Sequence, residues 1–335
     1  MPIDARISLP WRSRGLQSAE NSANGLAAAS AAAWFVARSR RRRVDPLVWR
    51  EWLTAGAGLD EDILQRFPAG SCLAASIPVS VPAGSVACVQ PVHLQTAIDH
   101  LQLAEPGSMA LSEAEACAIL DTLNPHLSAC SMRLLFVEPM LWLLHSERAI
   151  DCETTEPVDA VGKNLRGYLP QGRDAAGLNR LLTELQMILH EHPVNVLRRE
   201  RGQIAVNALW PWGFGPSCST RPAAMVLPEL HTDDPWLRGL WQLHGGPVTT
   251  LERLSNGSMD MNGDFAMAWR VPPRGDCEQW MRVLEGSVFA PLKEALQKYS
   301  GGRVSLCTGS AEFQFAGRYG WRPWRRRPEI DELFE

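Results

Sequence analysis

Apolar residues recur at three- and four-residue steps over residues 177–191, where Leu178, Leu181, Leu182, Leu185, Ile188 and Leu189 share one face, so an amphipathic helix is predicted there. His192-Pro193 closes it, because proline has no N–H to give a continuing helix. A second helical pattern covers residues 276–299, with Trp280, Val283, Leu284, Phe289, Leu292 and Leu296 on its apolar side and Gly301-Gly302 past its end. Ser112 and Glu115 stand in capping-box spacing at the head of a helix over 114–123, which Asn124-Pro125 is expected to end. Trp49, Trp52 and Leu53 give residues 44–64 helical character.

Short apolar runs between turn residues predict strands at 72–77 and 85–89, punctuated by Pro78, Pro82, Gly84 and Pro91. Further runs at 132–137, 141–144, 205–210, 304–307 and 312–315 read the same way, with Thr308-Gly309-Ser310 as a hairpin turn between the last two. Helices and strands interleave, so the fold class is α/β, a mixed sheet flanked by helices. Polar, breaker-rich stretches at 151–161 and 169–172 place an internal boundary near 150–175. The expected organisation is a variable N-terminal region 1–70, an α/β part 71–165, a second α/β part 166–327 and an acidic tail 328–335.

Composition narrows the class. With 45% hydrophobic and 21% charged residues, the 335-residue chain can bury a substantial core. A net charge of −4 offers no field that would gather nucleic acid. Residues 26–36 are apolar, but they are shorter than the ~20 residues of a membrane span. Arg38 and Arg40 to Arg43 follow them, whereas a signal peptide carries its charge in front. The segment therefore reads as an Ala-rich helix with a solvated basic end, well placed against the helix dipole. The protein is read as cytoplasmic, with no membrane partner. The eight cysteines include no CxxC or CxH spacing, which argues against a zinc or iron–sulfur site and for reduced, mostly buried thiols. Thirteen tryptophans against three tyrosines call for pockets or an interface. Residues 321–327 (WRPWRRR) read as a solvated tail packing its tryptophans on the core, rather than as a base-stacking platform.

The functional centre is expected in residues 178–215. After the strong helix come Asn195, Arg198, Gly202, Asn207, Trp210, Trp212, Gly213 and Gly215. Asparagine amides and an arginine fork suit phosphate or carboxylate, and a glycine-loosened turn at 210–215 would let backbone amides approach an anion. The alternative is that the arginines pair with Glu184, Glu191 and Glu200 while the asparagines cap helices; composition does not choose between the two.

The order Gln186, His190, His192, Asn195-x-x-Arg198, Gly202, Asn207, Trp210, Trp212-Gly213-x-Gly215 resembles the signature of the proteobacterial RpfE-type regulatory proteins, often labelled cofactor-independent phosphoglycerate mutases. Pro91 to His93, Asp99, Ser112, Glu115, Asn124 to His126, Asp234 to Leu240, Phe289 to Leu292 and Trp321 to Arg326 extend the resemblance over residues 70–327. It implies a reduced alkaline-phosphatase-superfamily-like fold. Mutases of this kind hold two metal ions on Asp and His clusters and use a Ser or Thr nucleophile, because phosphoryl transfer needs cations on the equatorial oxygens and an activated hydroxyl. Here the N-terminal region has no Asp-Gly-x-x-Asp motif, and His231-Thr-Asp233-Asp234 is the single local His/carboxylate cluster, read as a cap or turn. No metal or cofactor is expected. The implied function is a regulatory, non-catalytic mutase-like protein binding a small anionic metabolite. The alternatives are an active phosphoglycerate mutase or phosphatase (an isomerase-type enzyme), or a scaffold that binds a protein partner through tryptophan-rich surfaces.

Overall fold

The chain leaves and re-enters one folded unit. In the computed structural model it begins with β1 (Asp4–Leu9), α1 (Ala31–Arg38), β2 (Arg40–Arg43) and α2 (Trp49–Gly56). It then builds α3 (Ala69–Ser76), β3 (Ser85–Val92), β4 (Leu94–Thr96), β5 (Leu101–Leu103), α4 (Glu113–Ser128), β6 (Met132–Glu138) and β7 (Leu141–Ser146). Next come α5 (Ala175–Glu191), α6 (Pro193–Glu200) and β8 (Ala208–Pro216). It closes with β9 (Glu229–Thr232), α7 (Pro235–Leu243), β10 (Val248–Thr249), β11 (Phe265–Ala268), a π-helical turn Glu285–Phe289 leading into α8 (Ala290–Lys298), β12 (Arg303–Thr308) and β13 (Ala311–Ala316). The residues described are 4–9, 31–43, 49–59, 64, 67–96, 100–104, 108–217, 225–251, 263–269, 282–298, 302–308 and 311–316. Met1–Leu64 and Ala223–Glu335 form one unit and Gln65–Pro222 the other. Among the described residues no helix is long and apolar enough to cross a membrane.

The discontinuous unit holds a seven-stranded mixed sheet in the order β10-β9-β11-β1-β12-β13-β2. The first five strands run parallel; β13 and then β2 are antiparallel to their neighbours. Ala5, Ile7 and Leu9 of β1, with Val304 and Leu306 of β12 and Phe313 and Phe315 of β13, face a core closed by Phe35 and Val36 of α1 and Leu292 and Leu296 of α8. Glu285 caps α1 by accepting from the amides of Ala31 and Ala32, an acidic group at the positive helix end. The first 70 residues, expected as a variable leader, thus supply the middle strand of this sheet. The basic run also departs from expectation. Arg40–Arg43 is an edge strand, because its backbone has a free partner in β13, whereas a helix continued through four adjacent arginines would set like charges one turn apart. Residues 270–281, 309–310 and 317–335, on which the start of the second predicted helix, the last hairpin turn and the WRPWRRR reading fall, lie outside the described residues.

The continuous unit is a four-stranded antiparallel sheet, β6-β7-β3-β8, beside the small ribbon β4-β5. Ala87, Val89, Leu134, Trp142, Leu144 and Leu209 face Ile119, Leu123 and Leu127 of α4 and Leu185 and Leu189 of α5. The boundary expected near 150–175 falls inside this unit, since β7 and β8 both pair with β3 and so join the chain on either side of it. Pro125 does not end α4, which runs on to Ser128; Asn124 gives its amide to the Leu134 carbonyl and accepts from the Leu134 amide, tying that turn to β6. Strand β3 likewise passes through Pro91, because β7 pairs only as far as Val89 and one side of Pro91 needs no ladder bond.

Residues 72–76 of the strand predicted at 72–77 belong instead to α3, and Ile77 caps its end. Its glycine explains the change. A Cβ on Gly70 would lie 2.6 Å from the Ala87 Cα and the Val86 oxygen, so α3 rests backbone-to-backbone on β3. On β8, the strand beside β3, Gly213 has φ +67 and sits where a Cβ would meet Ala69 at 2.6 Å, while Gly215 is fitted against Pro68 and Ser71. Gly70→Ala is expected to lower the unfolding free energy of this unit by about 2 kcal/mol through overpacking against an immovable strand, measured by urea denaturation.

Candidate functional site

The block singled out in the sequence folds as two helices and a strand rather than as a helix followed by a loop. His192 ends α5 and at once becomes the N-cap of α6, where its Nδ1 accepts from the Val194 amide at 3.2 Å and Pro193 takes the first helical position. Since Nδ1 accepts, the Nε2 side carries the proton and bonds Thr122 of α4 at 2.9 Å. Burial pushes the His192 imidazole below its usual 6.5, partly opposed by the bond toward the Ala118 carbonyl. Asn195 and Arg198, placed one turn apart by α6, are both almost fully buried.

Their polar groups are spent inside the fold. The Asn195 amide donates to the Leu189 carbonyl at 2.7 Å and the Val206 carbonyl at 2.6 Å, and its oxygen accepts from the Val206 amide at 2.8 Å. One side chain therefore ties the end of α5, α6 and the entry to β8. Arg198 donates through Nε to the Ile204 carbonyl and through Nη1 to Glu115, both under 3 Å. Glu115 is the N3 residue of the α4 capping box predicted from sequence, and its other oxygen accepts from the Ser112 amide and hydroxyl. Asn207 pairs both ends of its amide with the backbone of Leu94, imitating the strand partner that β8 lacks there. Gly202, with φ +66, turns the chain out of α6.

The expected glycine turn at 210–215 is part of strand β8. Opposite Val86 and Cys88 of β3, β8 spends one extra residue, and Gly213 in the left-handed region forms the bulge. Trp210 donates to the Thr155 carbonyl at 2.8 Å, and the Gly213 amide donates to the Thr154 hydroxyl at 3.1 Å, so that amide also has an internal partner. Neither of the two sequence readings describes Arg198: its carboxylate is neither a bound anion nor Glu184, Glu191 or Glu200, but Glu115, 83 positions away. Only the capping box could have pointed to it.

The described tryptophans are buried or half-buried. Trp142 and Trp241 are fully buried, Trp210, Trp212 and Trp269 nearly so, and among the described residues none is exposed. Six cysteines are described, none of them in a disulfide. Cys72, Cys88 and Cys307 are buried, Cys117 and Cys152 half-buried, and Cys130 exposed. Burial and the Glu312 charge push the Cys307 thiol up to about 12, so it stays protonated.

The His/carboxylate cluster lies in the other unit, at the C-terminal end of β9, where parallel sheets usually place ligands. Asp234 there caps α7, accepting from the amides of Trp236 and Leu237 at 2.9 and 3.1 Å. Its second oxygen meets the Arg50 guanidinium at 3.1 Å, and that guanidinium lies over the rings of Trp49 and Trp236. His231, inside β9, has Nε2 3.8 Å from Glu229 and Nδ1 buried with no hydrogen-bond partner. Burial pushes it below 6.5, opposed by the Glu229 charge. Among the described residues no three His, Cys, Asp or Glu side chains converge as a metal site would require.

These geometries meet a partial resemblance to known enzymes. No protein-family model matches the chain. It is 31% identical over 119 residues to the 2,3-bisphosphoglycerate-independent phosphoglycerate mutase of Methanosarcina mazei, a stretch covering 35% of this chain and 30% of that enzyme. The enzyme of the same name from Methanosarcina barkeri is 29% identical over 129 residues, covering 37% and 32%. A probable phosphoglycerate mutase of Geobacter sulfurreducens matches 59 residues at 36%, covering 18% and 15%. The matched stretches thus span under a third of these curated relatives. Over that part the chain is phosphoglycerate-mutase-like. Among solved structures, the cofactor-independent phosphoglycerate mutase of Thermoplasma acidophilum covers 94% of this chain (89% of its own) at 16% identity and a TM-score of 0.41. The PH0037 protein of Pyrococcus horikoshii covers 94% (87% of its own) at 13% identity and a TM-score of 0.49.

Asn195→Leu is expected to destabilise the continuous unit by about 3 kcal/mol, because three buried backbone groups lose their partners; chemical denaturation measures it. The Glu115 carboxyl gives a second expectation. Burial alone would raise it, but the bonds from Ser112 and the bond and charge of Arg198 outweigh that and hold it below 4.5. A carboxyl depressed in the folded state stabilises above its unfolded value, and that contribution is lost as pH falls through the folded value. Melting temperature against pH should therefore fall below pH 4.5 in the wild type and fall less steeply in Glu115→Gln.

Proposed function

We propose that the chain is a phosphoglycerate-mutase-like protein of the RpfE regulatory type that acts by binding rather than by phosphoryl transfer, in the cytoplasm. One observation supports this reading above the others. The Asp234 carboxylate, in the His/carboxylate cluster at the end of β9, is held by a helix N-terminus and by Arg50 rather than facing open space. Phosphoryl transfer needs carboxylates that hold cations. A carboxylate already neutralised by a guanidinium makes a poor metal ligand, and releasing it would break the ion pair with Arg50. The reduced alkaline-phosphatase-like architecture belongs to the same reading.

The anion-binding expectation for Asn195, Arg198, Gly202, Asn207, Trp210, Trp212, Gly213 and Gly215 is replaced in this proposal by a structural role, since binding a phosphate there would require buried bonds to be given up. The test uses the purified full chain with 3-phosphoglycerate and manganese. The expected result is no conversion to 2-phosphoglycerate, no stoichiometric metal by elemental analysis, and no calorimetric heat that Arg198→Ala removes. Turnover with bound manganese would establish a mutase instead, and heat abolished by Arg198→Ala in a folded variant would restore the anion site.

A further inference from the structure

Strand β2 is built from four consecutive arginines, all exposed, in a chain whose net charge is −4. It ends the seven-stranded sheet: β13 bonds one side, and among the described residues no strand lies on the other. Its neighbour does not neutralise it. In the β2–β13 register Arg43, Arg42, Arg41 and Arg40 stand opposite Ala311, Glu312, Phe313 and Gln314. The single carboxylate among these, Glu312, accepts from the indole of Trp52 and the amide of Gln314. Among the described residues none of the four guanidiniums has an acidic partner within ion-pair distance, and the one interaction recorded is Arg41 over the Phe313 ring.

An unpaired edge with like charges is first a device against self-association: two β2 edges placed together would oppose arginine to arginine. The same charges do not repel a strand of opposite sign. Arg40 and Arg42 fall on one face and Arg41 and Arg43 on the other, each pair about 7 Å apart, which is the same-face spacing of any strand laid alongside. A partner entering by the edge therefore meets free backbone groups and, on both faces, cations in register with its own side chains. A nucleic-acid backbone or lipid surface uses the charge alone and leaves the backbone groups to water.

We infer that the outer edge of β2 docks an acidic peptide segment of a partner protein by strand addition, Asp or Glu side chains pairing with the arginines on both faces. The inference goes beyond the regulatory reading and does not rest on the absence of turnover. The test is fluorescence anisotropy of the full chain, in low-salt buffer, with a labelled short peptide in which Glu-Glu and Val-Val pairs alternate, so that acidic side chains fall on both faces. The same peptide N-methylated at alternate residues, which cannot complete a ladder, and an oligodeoxynucleotide of equal charge serve as comparisons. Binding of the plain peptide is expected, with the methylated one and the oligonucleotide at least about tenfold weaker. Arg40→Glu/Arg42→Glu is expected to weaken peptide binding by at least about tenfold, with an unchanged circular dichroism spectrum. Arg40→Ala/Arg42→Ala serves if the reversed variant does not fold. Equal binding of plain and methylated peptide, preference for the oligonucleotide, dimerisation through β2 in sedimentation, or no binding at all would each overturn the inference.

Discussion

The continuous unit depends on a constraint at Asn195. A side-chain amide has room for a few hydrogen bonds, and this one spends three on the backbone of Leu189 and Val206. In an interior sealed by Leu185 and Leu189, those carbonyls and that amide would otherwise be buried without partners. The bond set fixes where α5 must stop, how α6 leaves it and where β8 begins. Arg198, one turn further along α6, extends the constraint to α4 through Glu115. A helix cap and a helix-to-strand junction are thus parts of one connected network.

That network explains why the sequence could be read in outline while the bonding of its polar residues could not. The apolar periodicity of α5 and the capping box of α4 are local signals, and both elements are found close to where they were expected. The mixed α/β class also follows from local pattern. The role of Asn195, Arg198 and Asn207 does not, because a buried amide serving backbone and an amide serving a ligand are the same residue in a one-dimensional text. What separates them is whether backbone groups remain to be satisfied nearby, and that depends on Ile204, Val206, Leu94 and Glu115 arriving from elsewhere. The strand predicted at 72–77 failed for a related reason. Residues that suit a buried strand also suit a helix pressed directly on a sheet, and Gly70 matters only once β3 lies against it.

In the discontinuous unit the charged residues show the same economy of roles. Glu285 serves the start of α1, Asp234 the start of α7, and Glu312 the Trp52 indole. Each of these three carboxylates has a local dipole or donor to satisfy, while the four arginines of β2 are left facing solvent. The docking edge draws on this contrast: these carboxylates are turned inward, and the arginines of β2 are presented.

The interleaving of the sheet has a consequence for how the protein is made. Strand β1 lies between β11 and β12, so its residues wait for partners about 260 and 300 positions later. Loop closure over such distances is slow, and a chain emerging from a ribosome grows from its N-terminus. Residues 65–222, whose sheet partners all lie within their own span, can complete their fold while β1 is still unpaired. The interrupted unit then assembles last, and until then its central strand waits without the two strands that flank it.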